Sequence, residues 1–279
     1  MSRTEIKLAE GEHYNVMQNG CIRVCRHYWP LEMPYEREPI PNYLKLIDHS
    51  ISLEKDVYDD ALEKEEKQLN IFARTLKERR MGLITVFQGR DGSGKSGATE
   101  RIIEAVDFDM ELFDAVHIGA PSDEELAHPF LWRFGIHDRM PKFGQMRVFD
   151  RSWCERVLAE SVMGITKGGE LKKSYAHIRA YEWLQSSQGY ILCKFWLDIT
   201  KKEQERRFKK REEKKPWKLS PSDGAARKAW DQYTDAANEM FHRTATPFAP
   251  WHLISSEDKR YSRVTVLQVI NEVLREHLA

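Results

Sequence analysis

From residue 52 to residue 80 the chain mixes dense charge with apolar side chains at Leu53, Val57, Ala61, Leu62, Leu69, Phe72 and Leu76. That spacing approximates the stripe of one long amphipathic helix, closed by Gly82. The pattern then changes period. Leu83-Ile84-Thr85-Val86-Phe87 is a short, almost wholly apolar run between Gly82 and Gly89, as expected of a strand buried on both faces. Four later runs read the same way: Ala115–Ile118, Met146–Phe149, Tyr190–Leu197 and His252–Ile254. Helical patterns fill the intervals, at about 96–107, 123–135, 153–163, 170–188, 200–214, 224–243 and 259–277. Such alternation predicts an α/β fold, a parallel sheet of about five strands with helices on both faces. No repeat, low-complexity tract or interior linker divides residues 42–279, so they read as one domain. Residues 1–41 read as an N-terminal arm. Pro30, Pro34, Pro39 and Pro41 exclude a helix there, and Tyr28, Trp29 and Tyr35 predict that it lies against a surface.

Composition narrows the classes. The 279 residues carry 44 Lys or Arg and 44 Asp or Glu, a formal net charge of zero. This excludes a uniformly basic nucleic-acid coat and a highly acidic tail protein, though a balanced total can hide opposed patches. With 41% hydrophobic residues the chain has enough apolar surface to fold. No run approaches the roughly 20 apolar residues of a membrane helix, so no membrane partner is expected. The polar first twenty residues do not read as a signal peptide. Cys21, Cys25, Cys154 and Cys193 are too few for a disulfide framework. Cys21, Cys25 and His27 lack a second ligand pair at usable spacing, so no zinc site is expected. A reducing, cytoplasmic setting follows as the default.

The strongest motif is Gly89-Arg90-Asp91-Gly92-Ser93-Gly94-Lys95-Ser96. It fits the phosphate-loop pattern and lies between a buried strand and a helix, as its mechanism requires. Glycines let backbone amides curl round phosphate oxygens, and the new helix adds its positive end. Lys95 supplies a charge to the outer phosphates, and Ser96 can hold Mg²⁺. Asp91 is unusual, because a carboxylate inside such a loop repels a bound phosphate. It either binds a metal ion, faces the acceptor, or merely caps the turn. Asp150 ends the strand 146–149, where ligands of open α/β sheets bind. It fits a Walker B-type metal role, or the N-cap of the segment that follows. Arg151 faces the same crevice.

Charge is also unevenly distributed. Lys201–Lys218 holds ten Lys or Arg against four Glu, a local charge of +6, whereas residues 97–125 hold nine acids against one Arg. A basic helix after a late strand fits a mobile lid closing on phosphates, or a solvated face with pairs such as Glu205 and Lys209. Few aromatics interleave these charges, so no nucleic-acid partner is expected.

Several long segments together resemble the family 2 polyphosphate kinases. They are VFQGRDGSGKSGATERI (86–102), HPFLWRF (128–134), VFDRSWCERVLAE (148–160), KFWLDITKKEQERRFKKRE (194–212), WDQYTDAANEMFHRTATPFAPWHLI (230–254) and DKRYSRVTVL (258–267). Residues 47–70 resemble the family's leading helix, and the likeness covers roughly residues 40–275. The wording is most similar to the polyphosphate:AMP phosphotransferase subgroup, many of whose members fuse two copies of the domain. Here the chain resembles the active second copy.

The resemblance implies a P-loop kinase of thymidylate-kinase-like fold with a helical lid at about 201–222. It also implies phosphoryl transfer from polyphosphate to AMP, giving ADP, with Mg²⁺ and assembly as a homodimer or homotetramer. Gly89, Arg90, Gly92, Ser93, Gly94, Lys95 and Ser96 then bind phosphate or nucleotide. Asp91, Lys95, Asp150 and Arg151 are catalytic. Asp91, Ser96 and Asp150 hold metal, and Arg207, Arg211 and Lys218 belong to the lid and polyphosphate site. Ser96 stands where the family usually has Gly. Cys154-Glu155 replaces a usual Tyr followed by Gly or Asn, which bears on acceptor choice. Alternatives are a polyphosphate-dependent ADP or GDP kinase, an ATP-dependent nucleoside or nucleotide kinase, and a non-catalytic polyphosphate-binding protein.

Overall fold

The computed structural model describes residues 5–8, 12–25, 39–107, 109–136, 139–214 and 229–279. Three short strands come first: β1 (Glu5–Leu8), β2 (Glu12–Val16) and β3 (Ile22–Val24). The long helix α1 (Lys55–Arg79) leads into β4 (Gly82–Gly89) and α2 (Lys95–Ala105). Next come β5 (Phe113–His117), α3 (Asp123–Leu126), α4 (Trp132–Gly135) and β6 (Met146–Asp150). A 3₁₀ turn at Trp153–Arg156 precedes α5 (Ala159–Val162), α6 (Gly168–Ser187) and β7 (Tyr190–Asp198). The chain closes with α7 (Lys201–Lys214), α8 (Trp230–Thr244), β8 (Trp251–Ser255) and α9 (Lys259–Leu278).

The sheet runs β1-β2-β3-β8-β7-β4-β6-β5. Its last five members are mutually parallel, and these are the five strands read from the apolar runs. The sheet itself has eight strands among the described residues, not about five. Residues of the arm add three antiparallel strands, with Ile22 opposite Leu253 and Val24 opposite Trp251. Their short, mixed pattern resembles no buried parallel strand, and only pairing with β8 makes them part of the core.

Period-2 alternation divides the parallel strands between two cores. On β7, Ile191, Cys193, Phe195 and Leu197 face the layer containing α1, α2 and α9. Leu192 and Trp196 face the opposite layer, with α6 and α8. A continuous apolar run is the sequence record of that two-sided burial.

Other boundaries moved for local reasons. Helix α1 ends at Arg80, in the left-handed region (φ 53°), so Gly82 begins the strand instead of stopping the helix. Arg80 N–H bonds back to Leu76 and Lys77 carbonyls, as in other left-handed helix caps. The expected helix 123–135 is two four-residue helices, with Pro129 between them. The expected helix 153–163 is a 3₁₀ turn plus one α turn. All four cysteines are free thiols, and Cys21, Cys154 and Cys193 are buried. His27 lies outside the described residues. Among the described residues no three His, Cys, Asp or Glu side chains converge into a metal cage. No described helix is long and apolar enough to cross a membrane.

Candidate active site

The strand order reverses about β4: the chain first builds β5 and β6 on one side, then β7 and β8 on the other. A crevice opens at the carboxyl ends of strands around such a point, and the phosphate loop lies there. Gly89, Gly92 and Gly94 have φ of 144°, 83° and 102°, conformations open to glycine. At Gly89 a Cβ would also lie 2.4 Å from the Leu197 carbonyl oxygen, so the loop can hug β7 only without a side chain. Lys95 opens α2 and is buried. Its Nζ donates to the carbonyls of Gly89 (2.9 Å) and Arg90 (3.2 Å), which hold the ammonium over the loop. Buried Ser93 donates its backbone N–H to Arg90 O, while Ser96 is exposed in the first turn of α2.

Across the crevice, β6 delivers Asp150 and Arg151. Arg151 Nη2 donates to Asp91 Oδ1 at 2.9 Å, so the loop carboxylate is neither a turn cap nor an isolated repulsive charge. Arg151 has φ of 67°, costly for a non-glycine residue. Its backbone N–H bonds to Phe87 O at 3.0 Å, which ties this turn to the end of β4. Burial lowers the Arg151 pKa, but Glu155 and Asp91 outweigh it, leaving the guanidinium above its ordinary value.

Asp150 is not the N-cap of the following turn. Ser152 fills that role, its side chain accepting from Cys154 N–H. Asp150 Oδ2 lies 3.2 Å from His117 Nδ1, whereas Oδ1 is buried with no hydrogen-bond partner among the described residues. An unpartnered carboxylate oxygen at the mouth of a phosphate loop fits a divalent cation that keeps most of its waters. Asp91 has one oxygen on Arg151 and offers its other one.

Arg90 and Arg207 are both engaged with neighbouring groups of the protein. The Arg90 guanidinium lies 3.5 Å from the centre of the Trp230 ring and donates to Trp230 O and Thr234 Oγ1, fastening α8 to the loop. Burial holds it below the ordinary arginine value. Arg207 is buried and donates to Glu203 Oε1, Gly92 O, Ser256 O and Glu257 O. It braces the loop against α7 and the end of β8. Arg211 lies over the Phe208 ring at 5.3 Å. Lys218 is outside the described residues.

Three further groups were not singled out as functional by sequence. Glu155, in the 3₁₀ turn, is near Arg151, Lys95 and Asp91. Burial pushes its carboxyl up to about 7 despite the pull of Arg151 and Lys95. With the Gln88 amide turned to satisfy both its ends, Nε2 donates to Glu155 Oε1 at 2.7 Å and the oxygen accepts from Ser152. Tyr233, from α8, is raised well above its ordinary value by burial and then by Glu155 and Asp91. Gln204, on α7, donates to Asp91 O at 2.9 Å. The only signal for Glu155 is its departure from the family's usual residue; nothing local marks the other two.

Comparison with known proteins gives a consistent result. The family model described as polyphosphate kinase 2 matches residues 52–278. A polyphosphate:AMP phosphotransferase of Pseudomonas aeruginosa is 41% identical over 224 residues, covering 80% of this chain and 44% of the relative. A GDP-polyphosphate phosphotransferase of Mycobacterium tuberculosis is 34% identical over 187 residues, covering 66% of this chain and 62% of the relative. The crystal structure of polyphosphate kinase 2 from Arthrobacter aurescens TC1 superposes with a TM-score of 0.76 at 32% identity, covering 81% of each chain. The chain spans about half the length of the polyphosphate:AMP phosphotransferases it matches.

Proposed function

The chain belongs to the polyphosphate kinase 2 family, and we propose that it transfers a phosphoryl group from inorganic polyphosphate to a nucleotide, AMP being the preferred acceptor and ADP the product. The observation that carries this reading is the meeting of Lys95, the Asp91–Arg151 pair and the unpartnered Asp150 Oδ1 at one crevice. A phosphate acceptor is already ionised near neutral pH, so the reaction needs placement and charge neutralisation more than a strong base. Lys95 and the loop amides bind the transferring phosphate from one side, and Arg151 neutralises charge from the other. The Asp91–Arg151 bond fixes the guanidinium while keeping a carboxylate out of the phosphate's path. Asp150, with Asp91 and Ser96 in reach of the same mouth, would hold Mg²⁺. When bound, that ion would supply positive charge to offset the charge of the phosphates.

Within this reading residues 42–279 carry the chemistry and residues 1–41 are accessory. The setting is the reducing cytoplasm, and the working form is a homodimer or homotetramer without a nucleic-acid or membrane partner. Incubation with Mg²⁺, AMP or ADP, and either polyphosphate or ATP as sole donor tests the reading. ADP is expected from AMP plus polyphosphate. Turnover with ATP alone would establish the rival ATP-dependent kinase, and binding without turnover the non-catalytic protein.

A further inference from the structure

Asp150 is held by a side chain that no sequence motif contains. Strands β5 and β6 are parallel neighbours that end level with each other, His117 standing in register with Asp150. The Ile118 N–H donates to Asp150 O at 2.9 Å, so the pairing runs to the last residue of both strands. Alternation along the strands then places the side chains. Phe113 on β5, and Met146 and Val148 on β6, belong to the core layer that contains α2. His117 and Asp150 follow them at even spacing. Both therefore stand on the side of the sheet where α2 and Ser96 begin.

His117 Nδ1 lies 3.2 Å from Asp150 Oδ2. An ionised carboxylate only accepts, so Nδ1 carries the proton and donates. Oδ1 is buried with no hydrogen-bond partner among the described residues. The two oxygens are thus unequal: one is engaged by the protein and one is left over. The bond also restrains the last torsion of Asp150, which is broad in a free carboxylate. This distinction matters to a cation. Mg²⁺ demands near-octahedral geometry at about 2.0–2.1 Å and is held through few protein oxygens, with waters for the rest. Ca²⁺ is larger, sits at about 2.3–2.6 Å, and readily takes both oxygens of one carboxylate.

We propose that His117 is a positioning residue that keeps Asp150 a one-oxygen ligand and so selects Mg²⁺ over Ca²⁺ at the mouth of the phosphate loop. The inference rests on the reading that Asp150 holds the cation, and it deepens that reading by assigning the residue that sets cation choice. His117 acts through Asp150 alone. Its side chain is 65% exposed at the end of an edge strand, so it can be replaced at little cost to the fold.

The test is Mn²⁺ binding to the full chain without nucleotide or polyphosphate, read from the EPR signal of free Mn²⁺, with Mg²⁺ and Ca²⁺ as competitors. Wild type is compared with His117→Ala, His117→Asn and Asp150→Asn. His117→Ala is expected to weaken Mn²⁺ and Mg²⁺ about tenfold, the lower end of the loss when a metal ligand's hydrogen-bond partner is removed. Ca²⁺ should compete as well as in wild type, because the freed Oδ2 joins its coordination. The ratio of Ca²⁺ to Mg²⁺ affinity then rises by the same factor. His117→Asn places an amide N–H where Nδ1 stood and should restore most of the wild-type ratio. With polyphosphate and AMP, His117→Ala should need more Mg²⁺ for half-maximal rate while kcat at saturating Mg²⁺ changes little. An unchanged ratio in His117→Ala, with Mn²⁺ binding still lost in Asp150→Asn, overturns the role of His117 alone. Equal changes in His117→Ala and His117→Asn overturn it too, because the donor would then not matter. Mn²⁺ binding as tight in Asp150→Asn as in wild type overturns the metal reading of Asp150 and this inference with it.

Discussion

Lys95 owes its orientation to two carbonyls of its own loop, and Asp150 owes its free oxygen to Ser152, which caps the next turn in its place. Each group is thus positioned before any substrate binds. Lys95→Ala and Asp150→Ala are each expected to reduce turnover by at least about a hundredfold, as removal of a preorganised charge stabiliser does. The check is kcat with saturating polyphosphate and AMP, alongside a melting curve showing that the variants fold. Glu155 supports a different prediction. Its carboxyl is raised from 4.5 to about 7 by burial, so the folded chain keeps a proton that the unfolded chain has lost. The resulting stability is fully present below about pH 4.5 and is lost as pH rises through about 7. Melting temperature should therefore fall more between about pH 5 and about pH 8 in wild type than in Glu155→Gln. Parallel curves would show that Glu155 is not the group responsible.

At the scale of elements, a buried ion pair joins β7 to α6. Lys194 Nζ donates to Glu182 Oε2 at 2.7 Å and to Thr244 O at 2.8 Å, and Trp153 Nε1 donates to Glu182 Oε1 at 2.9 Å. Both charged side chains are fully inaccessible. Removing one partner leaves a buried charge uncompensated, so Lys194→Met should cost about 3–5 kcal/mol in denaturant unfolding. Lys194→Met with Glu182→Gln should recover most of that loss, because neutral Gln still accepts from Trp153. If the double variant were as unstable as the single one, the unpaired charge would not be the cause. Lys194 interrupts an otherwise apolar run, and Glu182 looks like any polar helix residue. Their pairing was illegible because it is a contact between elements, whereas periodicity records only which face of one element is buried.

At the scale of the molecule, β3 covers the outer edge of β8, with Tyr14, Ile22 and Val24 buried against that end of the sheet. Fully burying each such side chain contributes about 1.5–3 kcal/mol. A chain lacking residues 1–25 should melt several degrees lower and aggregate more readily, since β8 becomes an open edge. Its kcat per folded molecule should be unchanged, because Asp150 and the phosphate loop lie on the far side of β7. A lower kcat with an unaltered melting curve would mean that the arm acts on the site itself.

Zero net charge is compatible with the proposed polyphosphate donor, because residues 201–218 hold ten Lys or Arg against four Glu. Binding of polyphosphate should therefore weaken with added salt, as titration at low and high NaCl would record.

The chain alone determined the five parallel strands, the long helices between them, the phosphate loop and the Asp150–Arg151 turn. These are legible because two-sided burial, helical spacing and glycine-rich turns leave local marks. Tertiary structure alone decided that the arm supplies three more strands, since their burial comes from β8. It also has Arg90 donating to Trp230 O and Arg207 donating to Gly92 O, and it brought Glu155 beside Lys95 and Arg151. Those outcomes depend on which residues meet across distant elements, and distant contacts leave no period in the chain.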